Sequence, residues 1–311
     1  MIAYIIKRIG LMIFVLLSVS IVVFSIMYLI PGDPAEMIAK ERYGEEATSE
    51  TIEYVRRELG LNQPVCLQYF QWLANVLHGN LGYSYRTDRP VSEEILTRLS
   101  ATIQLAIASI FISLIISIPL GILSAVKQYS AVDNISMFSA LVGVSIPNFW
   151  LGLLLVLFFS VNLGWFPVYG HGGLEHIILP AVTLGTGMAA ITTRLMRSNM
   201  LEELGKDYIR TARAKGLSRA AIIRHASKNA LIPVVTIVGL QFGSLIEGAV
   251  VVEVVFAWPG IGRLLVNSIF ARDFPVIQGC ILLIAVMFVL VNLLVDISYA
   301  YLDPRIRYGA K

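Results

Sequence analysis

Charged side chains are scarce in this chain of 311 residues. Asp, Glu, Lys and Arg make up 14% of it, whereas about a quarter of the residues in an ordinary soluble domain are charged. Hydrophobic residues make up 57%. This composition excludes a soluble globular domain, a disordered chain and a chain that wraps nucleic acid. It predicts an integral membrane protein that contacts the lipid bilayer and has no nucleic-acid partner.

Residues that hold cofactors or carry out catalysis are also rare. The two cysteines, Cys66 and Cys280, are too few for a disulfide framework and are interpreted as isolated thiols. The sequence contains no Gly-x-x-x-x-Gly-Lys-Ser/Thr loop, so it offers no evident means of holding ATP. His171, Glu175 and His176 are interpreted as solvated loop side chains. The sequence therefore predicts no catalytic residue, no metal site and no cofactor.

Long runs without charged residues recur along the chain. They cover residues 10–30, 99–126, 134–174, 176–193, 229–246 and 274–295. Since about 20 helical residues cross a hydrocarbon core of roughly 30 Å, five runs have the length of one spanning helix. The run 134–174 predicts one helix from about 134 to 163, kinked at Pro147, with an interfacial exit at Trp165 and Phe166. Two short helices hinged at Pro147 are the alternative, which would change the number of crossings.

Basic residues are distributed unequally between the two sides of these six predicted spans. One side carries 15 Lys and Arg in its short segments, nine of them between residues 194 and 228. The other side carries only Arg263 and Arg272 in its short segments. The positive-inside rule therefore predicts that both termini and the loop 194–228 are cytoplasmic. Glu247 and Asp296 are the only acids that this pattern places inside the membrane.

The chain divides into three parts on this reading. Residues 1–30 form an N-terminal transmembrane helix, because their apolar stretch is too long for a signal peptide. Residues 31–98 form an extracytoplasmic segment, in which a helix is predicted at 49–59, capped by Thr48 or Ser49. Residues 99–311 form a five-helix core. The outer segment is interpreted either as a plain cover over the helices or as a platform for an external partner.

The basic loop contains a short helix with small residues that ends at a glycine. Its residues from Asp207 onward include Arg210, Thr211, Ala212, Arg213, Ala214, Lys215 and Gly216. Gly216 is expected to take the left-handed conformation of a helix cap. A second helix is expected to start at Ser218 or Arg219 and to run to Pro233. Small residues permit close approach of another protein, and arginines pair with its carboxylates. The loop is interpreted either as a hairpin that docks another protein or as a loop whose basic residues only reflect its cytoplasmic location.

The same loop resembles a known family. Residues 210–216 are similar to the EAA loop of ABC-importer permeases, in the form found in the dipeptide, oligopeptide and nickel subgroup. Further segments that resemble this subgroup are 31–34, 59–64, 79–84, 145–149, 225–233, 256–262, 272–275 and 302–305. The chain resembles the first of the two paired permease subunits, the one with a large outer segment.

The resemblance implies an all-α permease with a cytoplasmic coupling helix between its fourth and fifth transmembrane helices. It implies that the chain lies in the cytoplasmic membrane of a prokaryote. It also implies four kinds of partner: a second homologous permease, two cytoplasmic ATPases that hydrolyse ATP, an extracytoplasmic substrate-binding protein and the substrate. Ala212 and Gly216 would be packing residues of the coupling helix, and Arg210 and Arg213 its ion-pair donors. The expected substrate is a dipeptide or oligopeptide, with a nickel chelate or glutathione as alternatives.

A polar stripe in the fifth predicted helix is a candidate translocation path. Gln241, Ser244 and Gly248 share one helix face, with Glu247 at its edge. These residues are interpreted either as close helix packing or as a pore wall that meets a peptide. A secondary transporter or channel that needs no ATPase is the rival class, and a requirement for an ATPase distinguishes it from the importer.

Overall fold

The computed structural model describes residues 2–29, 32–44 and 47–302; the side chains at 2–5, 7, 41, 244, 246, 247 and 296–302 are outside that description. The basic residues near the C-terminus that entered the topology prediction lie outside the described residues. The described chain is built from helices, which are α1 (Ile2–Leu29), α2 (Pro34–Tyr43), α3 (Ser49–Glu58), α4 (Val65–Leu77), α5 (Val91–Val126), α6 (Ala131–Ser145), α7 (Asn148–Leu155) with a π-helical continuation (Val156–Asn162), α8 (Leu174–Gly205), α9 (Asp207–Ala214), α10 (Arg219–Val255), α11 (Ile261–Phe270) and α12 (Phe274–Leu302).

Five of these helices are long and apolar enough to cross a membrane. The qualifying spans are Arg8–Leu29, Val91–Val126, Leu174–Gly205, Arg219–Gly243 and Phe274–Val295. The pair α6 and α7 with its π-helical continuation makes a sixth if the two are one broken span. The all-α membrane fold is confirmed, whereas the six-span topology stays a prediction.

The chain breaks sharply at Pro147. The helices on either side of it meet at 107°, so the prediction of one kinked helix is wrong and the alternative of two short helices has the observed geometry. Ile146 and Pro147 both take extended backbone angles, with ψ of 124° and 136°. The proline ring disfavours helical angles in the residue before it. The two consecutive extended residues therefore end α6 and let α7 start in a different direction, whereas a kink would have left one continuous helix.

The first compact unit comprises the described residues of 1–101 together with 260–289. In it, Thr48 caps α3 by accepting a hydrogen bond from the Thr51 amide, which confirms the predicted cap. The loop before α5 is attached to the start of α12 by Asp273, a carboxylate only 3% exposed. The Ser84 hydroxyl donates to Asp273 Oδ2 at 2.5 Å and the Tyr85 amide to Oδ1 at 3.1 Å. Buried apolar residues of α5, α11 and α12 pack beside this attachment.

The second compact unit comprises 102–259 and the described residues from 290 onward. Close packing of α5 against α8 depends on Gly185, where a Cβ atom would lie 2.7 Å from the Ser109 carbonyl oxygen. Pro233, expected to end a cytoplasmic helix, instead lies inside the continuous helix α10. One buried cluster joins the end of α5, α8, α9 and the start of α10; its buried members are Ala125, Met196, Met200, Ile209, Ile222, Ala226, Ala230 and Val234.

Four acids are buried among the described residues, and the sequence analysis predicted none of them to be so: Asp133, Glu203, Glu253 and Asp273. Asp133 in α6 is 2% exposed and Glu253 in α10 is fully buried. Asp133 directly precedes the charge-free run 134–174, and Glu253 lies beyond the end of the run 229–246, inside a helix that continues past that end.

Candidate coupling hairpin and translocation path

The short helix α9 ends in the way its glycine predicts. Gly216 has φ of +77°, the left-handed region in which a side chain is strained. The Leu217 amide donates to the Ala212 carbonyl at 3.2 Å, and the Gly216 amide donates to the Arg213 carbonyl at 3.0 Å. These two bonds form a Schellman motif, which satisfies carbonyls that the helix end would leave free. Ser218 then caps α10 by accepting a hydrogen bond from the Ala221 amide.

Helix α9 has one face toward the protein and one toward solvent. Ile209 is fully buried, and the half-buried Ala212 packs against the same apolar cluster. Residues of the other face are exposed: Asp207, Arg210, Thr211, Arg213 and Ala214. Arg210 and Asp207 form an ion pair at 3.4 Å that is largely solvated. The small side chains available to a partner are therefore Thr211 and Ala214, whereas Ala212 faces the permease's own core.

A buried carboxylate ties both ends of the hairpin to α8. Glu203 accepts hydrogen bonds from Lys206 Nζ at 2.5 Å and from the Tyr208 hydroxyl at 2.6 Å. Asn229 of α10 contacts the same carboxylate at 3.4 Å and the Tyr208 hydroxyl at 3.1 Å. Hydrogen bonding to Glu203 raises the pKa of the Lys206 ammonium. Burial, followed by its bond to Glu203, raises the pKa of the Tyr208 phenol. Both shifts favour the protonated forms that donate to Glu203.

A second charged junction fixes the turn between α5 and α6. Arg197 of α8 makes a bidentate contact with Asp133: Nε donates to Oδ1 at 2.6 Å and Nη2 donates to Oδ2 at 2.7 Å. Ser124 and the Tyr129 amide also donate to this carboxylate. A two-pronged Arg–carboxylate pair restricts orientation as well as distance. Three helices are therefore held in register beside the apolar cluster that supports α9.

The candidate path residues of α10 face α7 and α8 where they are described. Gln241 Oε1 accepts a hydrogen bond from the buried Thr192 hydroxyl at 3.2 Å, and its Nε2 is buried without a partner among the described residues. A Cβ at Gly248 would lie 3.6 Å from Leu184 Cδ2 and 3.7 Å from Asn148 Nδ2. The side chains of Ser244 and Glu247 lie outside the described residues. Packing of Gln241 and Gly248 is thus visible, and their contact with a substrate stays a prediction.

Comparison with known proteins identifies the chain. Residues 117–308 match the family described as binding-protein-dependent transport system inner membrane component, and residues 1–106 match the N-terminal family of the same transport systems. The chain belongs to this family of permeases. The resemblance to ABC-importer permeases is confirmed. The family consists of transport permeases, which are generally non-catalytic integral proteins of the inner membrane.

Full-length relatives match the permease closely. The dipeptide transport system permease protein DppB of Alkalihalophilus pseudofirmus is 45% identical over 99% of this chain and 100% of its own length. The glutathione transport system permease protein GsiC of Escherichia coli K12 is 46% identical over the same shares. A crystal structure of an amino acid ABC transporter superposes with a TM-score of 0.54 at 14% identity, covering 68% of this chain and 94% of that one. This last likeness shows the fold alone.

The permease's supporting residues were harder to predict than its hairpin. Asp133 and Arg197 are 64 residues apart, and Glu203 and Asn229 are 26 apart. Sequence analysis had placed Arg197 among nine basic residues that set topology, with no individual role. The one available signal was the position of Asp133 directly before a long apolar run, where an acid demands a partner.

Proposed function

We propose that this chain is one permease subunit of an ATP-driven, binding-protein-dependent importer of dipeptides and oligopeptides. It forms half of the translocation path together with a second homologous permease. Two cytoplasmic ATP-binding subunits supply energy, and an extracytoplasmic binding protein delivers the substrate. The observation that carries the proposal is the 45–46% identity, over 99% of the chain, to a dipeptide and a glutathione permease.

The geometry of α9 supports its role as the coupling helix. Its exposed face presents Arg210, Thr211 and Ala214 to solvent. Its opposite face is anchored through Ile209 and through the Glu203 junction. A force on the exposed face is therefore passed to α8 and α10, because the helix is attached to both. The termini and this hairpin are cytoplasmic in the proposed orientation, in agreement with the basic residues around them.

The substrate assignment favours short peptides. One relative is named for dipeptides and another for glutathione, and both match with nearly equal identity. Glutathione is itself a small amide-linked molecule with free carboxylates, so the two names share a chemistry. Glutathione import is the second candidate function, and the GsiC relatives are the observation that favours it.

Reconstitution of the complete transporter in proteoliposomes tests the proposal. We expect ATP-dependent uptake of dipeptides, and ATPase activity that rises when the loaded binding protein is added outside. Competition between dipeptides and glutathione separates the two candidate substrates. Uptake that continues unchanged without the ATPase subunits would contradict the importer and favour a secondary transporter or channel.

The coupling role is tested by enlarging the exposed face of α9. Ala214→Trp should block a close-fitting partner, since overpacking an interface costs about 1–3 kcal/mol, and Gly216→Val should strain the cap. We expect both variants to insert normally but to lose uptake and co-purification of the ATPase. Ala131→Trp, at an exposed alanine opening α6, is the matched control. Normal coupling in both hairpin variants would exclude α9 as the docking element.

A further inference from the structure

The first unit contains a cavity that the proposed import mechanism does not assign. It has a volume of about 360 Å³ and is bounded by residues of α1, α2, α3 and α4, the loop before α5 and the start of α12. Its floor is buried, with Phe24 at 6% and Phe274 at 2% exposure, whereas Gln71 and Asn75 lie exposed at its mouth. Its volume lies in the lower part of the range for small-molecule sites, roughly 300–1,000 Å³.

Carboxamide side chains surround this cavity with unused hydrogen-bonding capacity. Its five carboxamides are Gln68, Gln71, Asn75, Asn80 and Gln278. Among the described residues, Gln71 and Asn75 make no side-chain hydrogen bond, and Gln278 makes a single long one, to the Val23 carbonyl at 3.5 Å. Gln68, by contrast, makes two hydrogen bonds: its Oε1 accepts from the Tyr28 hydroxyl and its Nε2 donates to the Gln63 carbonyl. Each carboxamide both donates and accepts, as a peptide bond does.

The charges at the cavity compensate each other. Its charged lining residues are Arg42 and Glu58, whose Nη1 and Oε2 atoms form an ion pair at 3.3 Å. The Arg42 guanidinium also lies over the Tyr85 ring, 5.1 Å from its centroid. Arg42 Nε is buried and has no hydrogen-bond partner among the described residues. The lining therefore carries no net charge.

Aromatic rings supply the apolar part of the lining. Phe24 and Trp72 pack with ring centroids 5.6 Å apart on one wall, and Tyr83 and Tyr85 lie on another. A phosphate-bearing headgroup would require uncompensated cations, which this lining lacks. Free amides, aromatic walls and balanced charge suit a neutral chain of amide groups with small side chains.

We propose that this cavity binds short peptides through their backbone, with the exposed carboxamides of Gln71 and Asn75 bonding to the peptide amides and the aromatic walls packing against the small side chains. The inference rests on the proposed function, because it takes peptides as the substrate class. It adds a peptide site within the first unit, separate from the candidate path at Gln241.

The test uses the complete transporter in lipid nanodiscs without its binding protein. The probe is a tri-alanine analogue in which one residue carries a benzophenone, and the crosslinked residues are found by mass spectrometry. We expect crosslinks at Trp72, Tyr83 and their neighbours. Gln71→Leu combined with Asn75→Leu should weaken probe binding about tenfold, the effect of losing two ordinary hydrogen bonds.

Matched controls lie outside the cavity. Asn62→Leu and Gln128→Leu change exposed carboxamides that do not line it, and they should leave crosslinking unchanged. Crosslinks confined to other regions, or equal binding by the double variant and the wild type, would overturn the proposal. Displacement of the probe by phospholipid, with a photoreactive lipid crosslinking to Trp72 instead, would identify a lipid site and also overturn it.

Uptake distinguishes this inference from the proposed function. If the reconstituted wild-type importer takes up no tri-alanine while the probe still crosslinks in the cavity, the proposed function fails and the site stands. If uptake proceeds normally and the double variant leaves both its apparent KM and the crosslinks unchanged, the site fails and the proposed function stands. Co-purification of the ATPase with the double variant shows that it is folded.

Discussion

Each of the two compact units contains a buried aspartate, and the two aspartates have different kinds of hydrogen-bond partner. In the second unit Asp133 faces the guanidinium of Arg197 through two short bonds. In the first unit the hydrogen-bond partners of Asp273 are the hydroxyl of Ser84 and the amide of Tyr85, both uncharged. The two carboxylates are equally buried, at 2% and 3% exposure. The difference shows that burial alone does not determine whether an acid receives a cation.

The two arrangements should respond differently to mutation. Removing one member of a buried ion pair leaves a charge without compensation, which is costly because the interior solvates it poorly. Removing an acceptor from neutral donors leaves only unsatisfied dipoles, which cost less. The charged junction also holds α5, α6 and α8 together near the coupling hairpin, so its loss should affect transport as well as stability.

The largest effect is expected for Arg197→Ala. It leaves Asp133 buried and unpaired, for which we expect a loss of about 3–5 kcal/mol in the free energy of unfolding. Denaturant unfolding in detergent micelles measures this loss. The double variant Asp133→Asn with Arg197→Met should recover much of it, because no unpaired charge remains. A single variant as stable as the wild type would show that the pair contributes nothing net, and the contrast with Asp273 would disappear.

An intermediate effect is expected for Asp273→Ala. The Ser84 hydroxyl and the Tyr85 amide lose their acceptor, for which we expect a cost of about 1–3 kcal/mol. Asp273→Asn retains a carbonyl oxygen and should cost less, because neutral donors do not require a charge. Thermal unfolding of both variants checks the order. If the asparagine variant is as unstable as the alanine variant, the charge itself matters and the two units are more alike than their contacts indicate.

Local signals in the sequence predicted the ends of helices well. Thr48 before α3, Gly216 after α9 and Ser218 before α10 all perform the capping roles expected of them. A cap depends on a few adjacent residues, so its chemistry is visible in the sequence. The charge-free runs likewise predicted the long membrane helices, because bilayer thickness sets their length.

Features that depend on distant residues were not predictable in the same way. Pro147 stands at a 107° break between two helices, whereas Pro233 lies inside the uninterrupted helix α10. Proline weakens a helix locally, but neighbouring helices decide whether the helix breaks. The junctions at Asp133 and Asp273 join residues 64 and 189 positions apart, respectively. Composition and spacing do not determine such pairs.

The smallest stability effect, and the sharpest functional one, is expected at Gln241. Gln241 extends the comparison from buried charged groups to an uncharged one. Its Oε1 accepts a hydrogen bond from the Thr192 hydroxyl at 3.2 Å, whereas its buried Nε2 has no hydrogen-bond partner among the described residues. Gln241→Leu loses one hydrogen bond but also removes the unsatisfied amide donor, so the two changes should nearly cancel in the free energy of unfolding.

A double-mutant cycle with Thr192→Val isolates the bond, for which we expect a coupling energy of about 0.5–1.5 kcal/mol. If Gln241 only packs α10 against α8, peptide uptake by Gln241→Leu at matched expression should equal that of the wild type. We expect uptake to fall instead, because a peptide carbonyl that passes along α10 would accept a hydrogen bond from this Nε2. Gln104→Leu, at an exposed glutamine of α5, controls for the loss of a carboxamide elsewhere. Reduced uptake in both variants would mean that the assay reports general disturbance, and unchanged uptake in Gln241→Leu would remove Gln241 from the translocation path.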